Sequence, residues 1–197
     1  MRISPRLTRH VVAGLLALAV GVSPALSEPV KDEERLPVDV RRTTLIVRDI
    51  ERSLPFWRDA LGLNVVYDEV IERPVDDENP DGEKRSLRLV LMRANDTFVG
   101  AVGLLEYTNP RRPDPGMGED RPIIGDFIMV VNAKDLDTRW DRVKAVPGVK
   151  VLSEPSRVEY PAPGGGVIPV MVSMVRDPDG YFIELNQILG TPAGTQE

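Results

Sequence analysis

One order of elements occurs twice in this chain of 197 residues, and that repetition restricts the fold more than any other feature. Each copy opens on an apolar, β-branched run: Arg42-Thr43-Thr44-Leu45-Ile46-Val47 first, then Asp126-Phe127-Ile128-Met129-Val130-Val131. A helical stretch follows. In the first copy Ser53 suits an N-cap, Pro55 a first turn, and Phe56, Trp57, Ala60 and Leu61 an apolar stripe that Gly62 ends. In the second, Asp135 to Val146 carries Leu136, Trp140 and Val143 at helical spacing, and Pro147-Gly148 stops it. Three more strand patterns complete each copy: 63–71, 86–93 and 98–107, then 149–152, 168–175 and 181–185. Val47-Arg48-Asp49 answers Val131-Asn132-Ala133, and Leu61-Gly62-Leu63 answers Pro147-Gly148-Val149. The Pro- and Gly-rich stretch 108–121 has no pattern of its own and reads as a connector. The expected fold is α+β. Two βαβββ modules each form a four-stranded mixed sheet with a helix on the outside, and the other sheet faces curve into a shared cup. Module 1 covers about 41–108, the connector 109–121, module 2 about 122–188, and a tail 189–197.

The N-terminal stretch has different physics. Arg2, Arg6 and Arg9 precede an apolar run from Val11 to Val22, too short for a comfortable membrane span, and Ala25 and Ser27 supply small residues for cleavage. Residues 1–27 read as a signal peptide, 28–40 as a linker, and the mature protein as periplasmic or secreted, with no stable membrane insertion. The chain has no cysteine, so neither a disulfide nor a cysteine-linked lipid is available. Its 25 basic and 31 acidic residues become 22 and 31 without the leader, which argues against nucleic acid as a partner. The single histidine, His10, lies in the leader. A mature chain without His or Cys excludes a Ser-His-Asp triad, a cysteine nucleophile, a His-ligated zinc and the two-histidine iron site of a dioxygenase.

Asp177-Pro178-Asp179-Gly180 is a turn, and Tyr181-Phe182-Ile183-Glu184-Leu185 is a strand. Phe182, Glu184 and Asn186 share one face of it. Glu184 is a lone carboxylate in an apolar strand, so it either faces water or has a partner. Arg88 shares a face with Val90 and Met92, and is either solvated or directed into the cup at an anionic ligand. Asn186 is either a surface amide or a group that orients Glu184 or a ligand.

Leu45-Ile46-Val47-Arg48-Asp49-Ile50-Glu51-Arg52-Ser53, with Phe56-Trp57-Arg58-Asp59-Ala60-Leu61-Gly62-Leu63, and the stretch 177–185 together resemble the vicinal oxygen chelate superfamily of glyoxalase I, bleomycin-resistance proteins and extradiol dioxygenases. The resemblance spans roughly 41–188. It implies four cup-facing positions that hold a metal in metal-dependent members. They fall on Arg42, Asp126, Glu184 and, on the last strand of module 1, Leu104 or Glu106, a pair whose shared parity directs both into the cup.

A guanidinium cannot ligate a metal. The first expectation is therefore a small-molecule binder without cofactor, in which Arg42 replaces the ion beside Asp126, Glu184 and Glu106, with Arg88 and Asn186 as further ligand contacts. The second is an enzyme, a lyase or isomerase resembling glyoxalase I. There Glu106, Asp126 and Glu184 would hold Mn²⁺, Mg²⁺, Ni²⁺ or Ca²⁺, with Glu184 as the catalytic carboxylate. A third expectation is a partner-binding domain, as a homodimer that pairs modules across copies.

Overall fold

A computed structural model describes residues 33, 36–162 and 165–190 of the chain. The leader expected over 1–27 lies outside them, as does Gly164 of the glycine loop. The first half contains β1 (Arg42–Ile46), α1 (Ile50–Leu54) continued by a π-helical stretch (Pro55–Ala60), β2 (Asn64–Pro74), β3 (Lys84–Arg93) and β4 (Ala101–Asn109). The second contains β5 (Ile128–Asn132), α2 (Leu136–Ala145), β6 (Lys150–Pro161), β7 (Val167–Arg176) and β8 (Phe182–Ile188). Strand order is β1-β4-β3-β2 in one four-stranded sheet and β5-β8-β7-β6 in the other. First and last strands pair parallel, and the rest antiparallel. The duplicated α+β architecture read from the repeat is the one observed.

Two elements differ from their expected form. The first helix starts at Ile50 rather than after Ser53, because Asp49 caps it: its carboxylate accepts from Glu51 N–H at 2.9 Å. Pro55 thus falls inside the helical run. It has no N–H, and its ring crowds the carbonyl four residues back. Bonding slips there by one residue, and Leu61 N–H donates to Phe56 O at 3.0 Å. β6 runs for 12 residues, against four expected, with register shifts between Val151 and Ser153 and between Ser153 and Ser156. Those irregularities erase the alternation that marks a strand in sequence.

Both helices lie against one side of the sheets, and one core cluster joins the halves. Leu45, Ile50, Phe56 and Trp57 belong to it, and so do Leu136, Val143, Ile183 and Leu185. Fully burying side chains of this size contributes roughly 1.5–3 kcal/mol each. Arg139 reinforces the joint from α2. Its Nη1 donates to Ala60 O at 2.9 Å, while Asp135 holds Nε and Nη2 at 2.9 and 2.8 Å. No helix among the described residues is long and apolar enough to cross a membrane.

Alternation along the strands sorts the remaining side chains. Leu45 in β1 and Leu104 and Glu106 in β4 are buried on the helix side. Arg42, Thr44 and Gly103 share the opposite, open face, since a Cβ on Gly103 would stand 3.0 Å from Thr44 Oγ1 and 3.4 Å from Arg42 Cδ. In β8, Ile183 and Leu185 join the core, leaving Phe182, Glu184 and Asn186 on the open face.

Candidate functional site

Two hydrogen bonds give the alignment of the modules. Val47 N–H donates to Leu105 O at 3.0 Å, and Ala133 N–H to Asn186 O at 2.7 Å. Val47 thus matches Ala133, and Leu105 matches Asn186. By the same offsets Arg42 matches Ile128, Gly103 matches Glu184 and Glu106 matches Gln187. A second pair of bonds agrees. Ile50 N–H donates to Glu106 Oε2 at 3.1 Å, and Leu136 N–H to Gln187 Oε1 at 3.2 Å. Glu106 and Gln187 do one job: each ties the last strand of its module to the first turn of its helix.

This alignment corrects the expected site. Leu104 and Glu106 point away from the open face, so neither is the counterpart of Glu184; Gly103 is, and it offers no side chain. Arg111 approaches Glu106 Oε1 at 3.7 Å. Asp126 sits before β5 rather than on it, is exposed, and accepts from Ile123 N–H at 2.9 Å. Arg88 faces the helix side, where Asp68 receives its Nε and Nη2 at 2.7 Å each and Glu51 its Nη1 at 2.6 Å. Those carboxylates raise the Arg88 pKa, and Arg88 in turn lowers that of Asp68. Arg42 and Glu184 share the open face, but among the described residues no ion pair joins them. Glu184 is half-buried between Val130 and Met174 and accepts from Asn186 Nδ2 at 2.8 Å. The amide therefore orients Glu184, one of the two roles open to it from sequence.

The carboxylates of a candidate metal centre are thus dispersed. Among the described residues no three His, Cys, Asp or Glu side chains stand close enough to hold an ion. The donor set Glu106, Asp126 and Glu184 does not fit a metal.

The structure draws other residues together. A cavity of about 830 Å³ lies at the module junction, under connector residues 111–119. Ile46, Tyr107, Met117, Phe127, Tyr181 and Phe182 give it apolar and aromatic walls. Its floor is the Asp177–Gly180 turn, which works as the joint between modules. Asp179 Oδ1 accepts from Arg48 N–H at 2.8 Å and Asp179 Oδ2 from Ser53 Oγ at 2.5 Å. Arg48 also donates to Asp179 O at 2.8 Å and to Asp114 at 2.6 Å, which anchors the connector and holds the Asp114 carboxyl below the usual range. Gly180 has φ 95°, so the turn needs glycine for its backbone, and the connector residue Met117 packs where a Cβ would just fit, at 3.4 Å. Tyr181 closes the joint: its hydroxyl donates to Ile46 O at 2.9 Å and accepts from Ile46 N–H at 3.1 Å.

Two charged groups beside this joint are buried. Asp177 is fully buried, and burial pushes its carboxyl up to about 7; its bonds from the N–H groups of Tyr181 and Asp179 only partly oppose that. The indole of Trp57 also lowers it slightly, yet Trp57 Nε1 and Asp177 Oδ2 both lack a formed hydrogen bond. Arg176 is 5% exposed, lines the cavity and lies 3.9 Å from the centre of the Phe182 ring. From sequence Asp177 reads only as a turn residue, and Arg176 is given no role. Their signal was adjacency: Arg176-Asp177 ends an apolar strand with two charges that alternation sends to opposite faces.

The comparisons agree with this architecture. The profile of the Glyoxalase/Bleomycin resistance protein/Dioxygenase superfamily matches residues 40–185. A glyoxalase family protein from Bacillus cereus is similar in structure, with TM-score 0.61 and 15% identity over 82% of this chain and 100% of that one. An antibiotic binding protein from Streptomyces gives 0.47 and 17% over 78% and 99%. The trypanothione-dependent glyoxalase I of Leishmania major gives 0.47 and 17% over 76% and 86%. Among curated proteins none matches the sequence. By the extent of the profile match and by its duplicated βαβββ fold, the chain belongs to the Glyoxalase/Bleomycin resistance protein/Dioxygenase superfamily.

Proposed function

We propose that this chain is an exported small-molecule-binding protein that works without a metal. The observation that carries the reading is the junction cavity: about 830 Å³, within the size of ligand sites, walled by aromatic and aliphatic side chains together with nine charged residues, five of them arginines. Its walls come from both modules and from the connector, so a ligand seated there would stabilise the joint. Export is supported by the cationic start, short apolar run and small residues within 1–27. Metal independence is supported by Arg42 and Gly103 at two of the four positions where related metal sites have ligands, and by the dispersal of Glu106, Asp126 and Glu184. The second sequence-based reading, a lyase or isomerase using a divalent ion, needs those three carboxylates to converge.

The test is thermal unfolding of the mature protein with a diverse set of small organic molecules, and separately with Mn²⁺, Ni²⁺, Mg²⁺ and Ca²⁺. The expected result is stabilisation by one class of organic molecule and no response to the ions. A stoichiometric metal-dependent rise in Tm that disappears in Glu184→Ala would overturn the reading in favour of the enzyme. N-terminal sequencing of protein recovered from the exported fraction should begin near Glu28.

A further inference from the structure

Arg176 carries a charge that no carboxylate among the described residues neutralises. The residue is 5% exposed, and among the described residues no carboxylate lies within ion-pair distance of it. Nη1 donates to Gly180 O at 2.5 Å, and the guanidinium stacks on Phe182, but Nε is buried without any partner. Gly118 of the connector passes beside it: a Cβ there would stand 3.7 Å from Nη2 and 3.8 Å from Nη1. Three of the four carboxylates that line the cavity are committed elsewhere, and the fourth, Glu119, is exposed on the connector and forms no ion pair with Arg176. Asp179 is held by Arg48 and Ser53, Asp114 by Arg48 and Gly116 N–H, and Asp126 by Ile123 N–H. Asp177, the next residue, turns its Oδ1 to the N–H groups of Asp179 and Tyr181. An isolated buried cation is costly, and ring stacking with one carbonyl offsets only part of that cost. A planar fork with unused donors, at the wall of a cavity that combines aromatic rings with an excess of arginines, matches an oxyanion.

Resting on the small-molecule reading above, we infer that the junction cavity takes an amphipathic anion, with Arg176 binding its carboxylate or phosphoryl group and the Phe127, Tyr181 and Phe182 rings packing its apolar part. The ligand completes the charge balance that the protein leaves open.

The test uses the full mature chain with benzoate, phenyl phosphate and the neutral benzyl alcohol as probes. Binding is measured by titration calorimetry, and the Arg176 Nε–H resonance is followed by NMR. The expected result is that at least one anion binds about 10-fold or more tightly than the alcohol. Its addition should shift the Nε–H resonance, which the alcohol leaves in place. Whichever anion binds distinguishes a carboxylate from a phosphoryl ligand. Arg176→Met should lose the preference for the anion while keeping alcohol binding. Arg176→Lys, which retains charge but not the fork, should keep a reduced preference, and it serves if Arg176→Met does not fold. Equal binding of anion and alcohol by the wild type would overturn the anionic subsite and leave the small-molecule reading standing. No anion binding up to ~10 mM, weaker than specific sites of this size require, would also overturn it. So would binding that leaves the Nε–H resonance unmoved.

Discussion

Asp177 makes stability depend on pH in a direction opposite to ordinary acid denaturation. Burial raises its carboxyl from 3.8 in the free residue to about 7 in the folded chain, with Asp179 beside it adding to the shift. Between those values the folded chain keeps a proton that the unfolded chain has released. The stabilisation is therefore fully present below about pH 4, and is lost as pH rises through about 7. The span is about 3 pH units at 1.36 kcal/mol each, so the loss is on the order of 4 kcal/mol. About 2 of those 3 units fall between about pH 5 and about pH 7.5, so over that interval the loss is roughly 2–3 kcal/mol and the Tm should be lower by roughly 5–10 °C at the higher pH. Asp59, Asp68, Asp114 and Asp135 are held below the usual carboxylate range by arginine partners. Their stabilisation is lost only as pH falls below about 4, so the two effects occupy separate windows. Thermal and urea unfolding followed by circular dichroism at both pH values is the assay. In Asp177→Asn the Oδ1 still accepts from Asp179 and Tyr181, but nothing titrates, so the slope should flatten. A wild type that is more stable at the higher pH, or a variant with the wild-type slope, refutes the reasoning.

Three further outcomes are expected. Glu106→Gln should cost little, since Gln187 makes the equivalent bond to Leu136 N–H, whereas Glu106→Leu should cost ~1–2 kcal/mol by urea unfolding, because it leaves the buried Ile50 N–H without its acceptor. Tyr181→Phe removes the hydroxyl that bonds both Ile46 N–H and Ile46 O, and should cost ~1–2 kcal/mol and increase amide exchange at Ile46. Arg42→His should bind no stoichiometric Ni²⁺ or Zn²⁺ by native mass spectrometry, because the neighbouring open-face positions on β4 are Ala101 and Gly103, neither of which can ligate; a bound ion would show that the open face does assemble ligands.

The duplicated fold was legible because its signals are local and redundant. Apolar periods, Gly62 and Pro147-Gly148 after the helices, and the patternless connector all point to the same answer. The helix start was not, since Ser53 and Asp49 are both good caps and Pro55 is commonest in a first turn. Only tertiary contact separates them: Asp179 occupies Ser53 Oγ, leaving Asp49 to cap. The junction cavity could not be read at all. It forms where the connector lies across strand ends from both modules, and no local pattern records which stretches a patternless segment will cover.

The misplacement of Glu106 has a definite cause. A glycine precedes each last strand, Gly100 and Gly180, and equal spacing from the two would put Leu104 in the place of Glu184 and Glu106 on the same face. But Gly100 directly precedes Ala101 at the start of β4, whereas Tyr181 intervenes between Gly180 and Phe182 at the start of β8. A one-residue difference reverses every side chain in a strand. It moves Leu104 and Glu106 from the open face to the helix side, and puts Gly103 opposite β1 where Glu184 stands opposite β5. The extra residue is Tyr181, the one that bonds to Ile46 and joins the modules. The insertion that ties module 2 to module 1 is thus also the one that makes the two last strands unlike. Glu184 is left with Asn186 as its partner, and a buried cation with no carboxylate partner among the described residues is found at Arg176, one strand away, at the cavity wall.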